Sequence, residues 1–304
     1  MTTVVRVAAL RKHYGRVRAV DDVSFEVREG EIFGLIGPNG AGKTTTLECL
    51  EGLRAPDSGT ISVLGLDPRR DAARLLQRVG VQLQESQLQK RITVREAIGF
   101  WASLYRRPVD GTRLLEQLGL LEKQHAWFMT LSGGQKQRLF IALALIHDPE
   151  IVVLDELTTG LDPQARRAIW DLVRGIRARG KTVILTTHLM EEAERLCDRV
   201  AIIDAGRVVD IGAPAALVAR HCPERAVSIS TDDGRAADLL GACGSVQRVE
   251  RAGRALLVHG AGDDLLDDVV RCLAQHRIHA TDLQSRSASL EDVFLRLTGH
   301  RVRT

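Results

Sequence analysis

GLIGPNGAGKTTT, residues Gly34 to Thr46, decides how the rest of this 304-residue chain is read. Within it GPNGAGKT (Gly37–Thr44) fits G-x-x-x-x-G-K-[ST] at every fixed position. Glycines at those places let the backbone wrap closely around phosphate, and a helix that starts there offers unpaired N–H groups and the positive end of its dipole. The flanks supply both parts. EIFGLIG (Glu31–Gly37) reads as a buried strand entering the loop, and TTLECLEGL (Thr45–Leu53) as a helix leaving it. The expected cradle for a nucleotide's phosphates is therefore Gly37, Pro38, Asn39, Gly40, Ala41, Gly42, Lys43, Thr44 and Thr45. Lys43 would reach the β- and γ-phosphates, and the Thr44 hydroxyl would ligate Mg²⁺.

Two more apolar runs extend the sheet that such a loop needs. EIVVLDE (Glu150–Glu156) and KTVILTTH (Lys181–His188) are continuously hydrophobic, as strands of a parallel sheet buried on both faces tend to be. The first ends in two carboxylates, at the strand edge where open α/β sheets bind ligands. Asp155 would hold Mg²⁺ through water, and Glu156 would polarise an attacking water. DPQARRAIWDLVRGIRARG (Asp162–Gly180) puts Ala165, Ile169, Leu172, Val173 and Ile176 on one helical face, between Pro163 and Gly180. VRVAAL (Val5–Leu10) and DDVSFEV (Asp21–Val27) read as antiparallel strands. From about Ile92 to Phe128 the strand signals give way to helical spacing, with Phe100, Trp101 and Tyr105 close together.

The bulk numbers exclude several classes. The longest apolar run, LFIALALI (Leu139–Ile146), has eight residues, against the roughly 20 of a membrane-spanning helix. The N-terminus lacks a signal-peptide core. The five cysteines form no C-x-x-C pair and read as reduced, packed thiols. His276 and His279 have no third ligand nearby in sequence and read as solvated side chains. The net charge of +3 is spread out: residues 226–304 carry 10 arginines, no lysine and 11 acids. No basic stripe points to nucleic acid.

TLSGGQKQR (Thr130–Arg138) pairs a second set of glycines with a second helix start, and one nucleotide needs only one cradle. LSGGQ (Leu131–Gln135), GPNGAGKTT, LTTGLD (Leu157–Asp162) and TTH (Thr186–His188) occur in the order found in ATP-binding subunits of ABC transporters, which residues 1–220 resemble. The resemblance implies a P-loop NTPase ABC cassette of α/β class: a mixed sheet core with an inserted helical subdomain at about 92–150. It implies ATP and Mg²⁺ as ligands, and two nucleotide-binding domains meeting head to tail as a homodimer or with a paralogue. Ser132, Gly133, Gly134 and Gln135 would then close over the nucleotide held by the partner, as an arginine finger does elsewhere.

By the same resemblance Tyr14, in HYG, would stack on adenine. Gln84 would sense Mg²⁺ and couple to a transmembrane permease subunit, with Gln82 as the alternative position. His188 would contact the γ-phosphate and orient Glu156, and Asp162 would connect the two sites. The catalytic set is thus Glu156, His188, Lys43 and Gln84, and the metal set Thr44, Gln84 and Asp155. The family usually has proline after the catalytic glutamate; here Leu157 follows, which frees a backbone N–H. The expected location is the cytoplasmic face of the cell membrane.

After HCPER (His221–Arg225) the character changes. Residues 226–304 read β-α-β-β-α-β plus a last helix, a small α+β ferredoxin-like module, with Asp263 and Asp264 opening its second helix. LTTGLDPQARRAIWDLV and the closing SLEDVFLRLTG resemble subunits of drug-export systems of the daunorubicin-resistance type and their relatives that export polysaccharide or lipid-linked cargo. That implies an exporter, with an importer subunit as the alternative, and a regulatory or dimer-stabilising module.

Overall fold

The structure is a computed structural model, and it describes residues 2–82, 87–253, 255–260, 264–286 and 288–299. The chain forms two compact units, Met1–Pro214 and Ala215–His300. The first opens with β1 (Thr3–Tyr14), β2 (Val17–Arg28), β3 (Ile32–Ile36), α1 (Lys43–Leu50), β4 (Ser58–Val63), α2 (Ala72–Leu75) and β5 (Val79–Gln82). It continues with α3 (Val94–Ser103), α4 (Gly111–Gln117), α5 (Gly133–Leu145), β6 (Ile151–Asp155), α6 (Pro163–Ala178), β7 (Thr182–Thr187), α7 (Met190–Leu196), β8 (Arg199–Asp204) and β9 (Arg207–Gly212); α8 (Pro214–His221) begins at the boundary, and from Ala215 on it belongs to the second unit.

Two sheets share one core in this unit. β2-β1-β4 is antiparallel, and β5-β6-β7-β3-β8-β9 is parallel except for its last pair. Every residue of β3, β6 and β7 is buried, which explains their continuous apolar runs. Phe25 of β2 stacks on Phe33 of β3 with centroids 5.3 Å apart, and Val7, Leu35, Leu47, Val153 and Ile184 join the same cluster. Each fully buried side chain of this size contributes about 1.5–3 kcal/mol. The C-terminal ends of β3, β6 and β7 therefore lie side by side, and everything after them is held at one edge.

α3, α4 and α5 occupy the stretch where strand signals cease. Thr93 with Glu96 and Ser132 with Gln135 form capping boxes at the starts of α3 and α5. Phe100 meets Trp101 edge-on at 5.3 Å, but Tyr105 does not join them. It stacks flat on the buried His147 at 4.0 Å instead, a partner 42 residues away that local spacing does not reveal. On α6, Ile169, Val173 and Ile176 are buried as expected, but Trp170 is buried too, while Ala165 and Leu172 are half-buried.

The second unit runs β10 (Arg225–Ser230), α9 (Ala236–Gly241), β11 (Val246–Ala252), β12 (Ala255–Gly260), α10 (Leu265–Gln275), β13 (Asp282–Arg286) and α11 (Leu290–Thr298). Its sheet is antiparallel in the order β11-β12-β10-β13, as a split βαββαβ arrangement requires. Val227, Ile229, Leu256 and Val258 on one face pack with Ala236, Leu240, Leu265, Val269 and Leu273. Asp264 stands at the start of α10 without a side-chain capping bond, and Asp263 lies outside the described residues. All five cysteines are free. Two that are distant in sequence nonetheless meet, since Cys243 and Cys272 each point a thiol at the Leu239 carbonyl at 3.5 Å.

Candidate functional site

The loop between β3 and α1 has the backbone its glycines imply. Gly42 stands at the start of α1 with φ 102° and no side chain caps the helix, so its first N–H groups point into the loop. A Cβ on Gly42 would lie 2.2 Å from the Ala19 carbonyl oxygen, and one on Gly37 would lie 2.1 Å from that of Ile203. Gly37 also donates its N–H to the Thr187 carbonyl at 3.4 Å, which joins the loop to the end of β7. Lys43 is buried, and its ammonium donates to the carbonyls of Gly37 at 2.8 Å and Pro38 at 3.0 Å. Burial lowers its pKa, against the opposing charges of Glu156 and Asp155. A cleft of about 340 Å³ opens there, lined by Ala19, Asn39, Gly40, Gly42, Lys43, Thr44, Thr45 and Glu156, with Tyr14 at its rim. Arg54 and Lys12 sit over the Tyr14 ring at 5.4 and 5.7 Å.

The carboxylates arrive from the next strands. Asp155 closes β6 and is buried, which raises its pKa; hydrogen bonds from the Thr186 and Thr44 hydroxyls act in the opposite sense. The side chain of Glu156 is 7% exposed; its Oε1 is 3.9 Å from the Lys43 ammonium and 3.5 Å from His188 Nδ1. The Thr159 hydroxyl reaches Glu156 Oε2 at 3.4 Å. Glu156 adopts φ 47°, in the left-handed region. A proline at the next position would push it toward extended backbone, and Leu157, itself buried, imposes no such limit. His188 Nδ1 is buried without a hydrogen-bond partner among the described residues.

The second glycine pair lies elsewhere. Ser132 Oγ accepts from the Gln135 N–H at 3.3 Å, and Gln135 Oε1 accepts from the Ser132 N–H at 2.9 Å. Cβ atoms on Gly133 and Gly134 would meet Leu161 at 3.4 Å and Ala165 at 3.1 Å, so these glycines let the start of α5 lie close to the start of α6. Asp162 caps α6, accepting from the N–H groups of Gln164 and Ala165 at 3.0 and 2.9 Å. None of Ser132 to Gln135 lines the cleft around Lys43.

A profile of the ABC transporter family matches residues 20–159. Over its whole length the chain is similar to proteins described as "Nod factor export ATP-binding protein I". That of Ralstonia nicotianae is 42% identical over 99% of this chain and 96% of its own, and that of Mesorhizobium japonicum 44% over 99% and 88%. The chain belongs to the ABC transporter family. Among solved structures, one described as the "ATP binding subunit of ABC transporter" superposes with a TM-score of 0.65 at 29% identity, covering 71% of this chain and 92% of its own. Another, cbiO1 from Clostridium perfringens, described as part of an ABC transporter complex, gives 0.66 at 28% identity over 72% and 92%. This ABC subunit thus binds and hydrolyses ATP and works with a transmembrane component. No helix among its described residues is long and apolar enough to cross a membrane.

In this ABC subunit the fold brings together Lys43, Thr44, Asp155, Glu156 and His188, places Tyr14 at the rim, and holds Ser132–Gln135 and Asp162 apart from them. Gln84 lies outside the described residues, and Gln82 is a buried residue ending β5. Sequence reasoning missed two hydrogen-bonded threonines. Thr186 touches Asp155, and Thr158 donates to the buried carboxylate of Glu192 at 2.9 Å, which also accepts from Trp170 Nε1 at 2.9 Å. That second pair explains why Trp170 turns inward. The only signal in the sequence was polar residues within apolar strands and helix faces.

Proposed function

We propose that this chain powers an exporter from the cytoplasmic face of the membrane, as half of an ATP-closed, head-to-tail pair. The observation that carries the export reading is the end-to-end likeness to proteins named for Nod factor export, which runs through the C-terminal module. The closing motif SLEDVFLRLTG and its drug-export resemblance favour the same direction. The cargo class is a drug, lipid or polysaccharide-type molecule. Absence of Ser132–Gln135 from the Lys43 cleft supports the paired arrangement, because a second copy could bring its α5 start over the γ-phosphate.

The described residues fit Mg²⁺: the Thr44 hydroxyl and Asp155 carboxylate are hard oxygen donors already hydrogen-bonded to each other. When bound, the ion neutralises charge on the β- and γ-phosphates. Loop N–H groups and Lys43 hold those phosphates, and Tyr14 stacks on adenine. Glu156, between Lys43 and His188, accepts a proton from the attacking water. Asp162 steadies the start of α6 next to the start of α5, and Gln84 couples hydrolysis to the permease.

Replacing Glu156 by Gln keeps the shape and removes the base. Turnover should fall about 100-fold or more, while ATP converts the protein to a stable dimer seen by size-exclusion chromatography. Normal turnover by that variant would overturn the assignment.

A further inference from the structure

We infer that Thr186 is a positioning residue for hydrolysis, its single hydroxyl fixing both the metal-side carboxylate and the backbone of the catalytic glutamate. The inference rests on the roles proposed above for Asp155 and Glu156. Thr186 is 1% exposed, on β7 beside β6, where it is the register partner of Asp155. Its Oγ1 accepts the Glu156 N–H at 3.1 Å. A hydroxyl has one hydrogen and two lone pairs. With a lone pair taken by Glu156, its hydrogen goes to Asp155 Oδ1, and that bond is present.

Two consequences follow from this one group. Donation to Oδ1 sets the rotation of the Asp155 carboxylate, which the Thr44 hydroxyl also contacts, so the two proposed Mg²⁺ ligands keep their mutual geometry. Acceptance from Glu156 ties down a left-handed residue, φ 47°, at the point where the chain leaves the sheet. Left-handed backbone in a non-glycine residue persists only where the surroundings over-determine it. Without the Thr186 oxygen, that hydrogen bond is lost, and with it a restraint on the origin of the Glu156 side chain relative to Lys43 and His188.

Thr186→Val keeps the shape and removes the hydroxyl; Thr186→Ser restores it. Thr182→Val is the control. Thr182 is also a buried threonine on β7, but it accepts from the Gly30 N–H at the opposite end of the strand, away from both carboxylates. Two readouts are needed: kcat and KM for ATP, and the affinity of a fluorescent ATP analogue with and without Mg²⁺. T186V should lower kcat by about tenfold or more and erase most of the gain in analogue affinity that Mg²⁺ gives. T186S should recover both, and T182V should lose thermal stability only. Glu156→Gln is run alongside. If T186V matches wild type in both readouts while E156Q is inactive, the role of Thr186 is refuted and the site reading stands. If T186V and T182V change both readouts equally, Thr186 is only structural. If E156Q turns over normally, the site reading itself fails.

Discussion

The two units of this chain fill their interiors with different chemistry. Every buried polar or charged residue described, Lys43, Asp155, Thr186 and Glu192 among them, belongs to the N-terminal unit. In the C-terminal unit the covered face of the sheet holds Val227, Ile229, Leu256 and Val258 against aliphatic helix residues. Both are sheets roofed by helices, so neither architecture demands buried charge. Burying an ionised group is unfavourable unless it is paired and hydrogen-bonded, and in the N-terminal unit Lys43 and Asp155 come together with Glu156 and His188 where β3, β6 and β7 end. That convergence marks where the chemistry is.

The contrast breaks most readily at Gly42. Its Cβ would stand 2.2 Å from the Ala19 oxygen with φ at 102°, so Gly42→Ala must displace the loop. The variant should lose at least about tenfold in ATP affinity, roughly 1.4 kcal/mol, measured by calorimetry. An unchanged affinity would mean that the loop does not need its close approach to β2.

A smaller effect sharpens the same contrast. Glu51, just beyond α1, has its pKa pushed up to about 8, first by burial and then by the charges of Asp155 and Glu48. A raised folded pKa means that the folded state holds a proton which the unfolded state has released, so this contribution is full below about pH 4.5 and is lost as pH rises through about 8. The loss is at most about 1.4 kcal/mol per pH unit. Between pH 5 and 8 the melting temperature of Glu51→Gln should therefore improve steadily relative to wild type. Parallel pH curves would show that Glu51 is solvated.

What the sequence made legible was contiguous. The phosphate loop needs consecutive backbone N–H groups, so its glycines stand together in GPNGAGKT. The carboxylate pair ends one apolar run, and the capping box of Ser132 and Gln135 spans four residues. The alternation of strands and helices in residues 226–299 gave the βαββαβ order for the same local reason. What stayed hidden depends on elements adjacent in space. Thr186 meets Asp155 across 31 residues, and Glu192 meets Thr158 across 34. The flat stack of Tyr105 on His147 and the meeting of Cys243 with Cys272 belong to the same kind. No period or motif in one chain records which polar side chain of a buried strand faces which neighbour. Gln84 was read from its motif and lies outside the described residues.

The central claim is that hydrolysis needs the Lys43 cleft of one copy and the Ser132 helix start of another. The most direct measurement mixes two inactive variants, Lys43→Ala and Ser132→Arg, and follows ATP hydrolysis against each alone. In a head-to-tail pair, the intact cleft of the Ser132 variant faces the intact α5 start of the Lys43 variant. The mixture should therefore regain hydrolysis that neither variant has. A mixture no more active than its two components would contradict a site shared between copies.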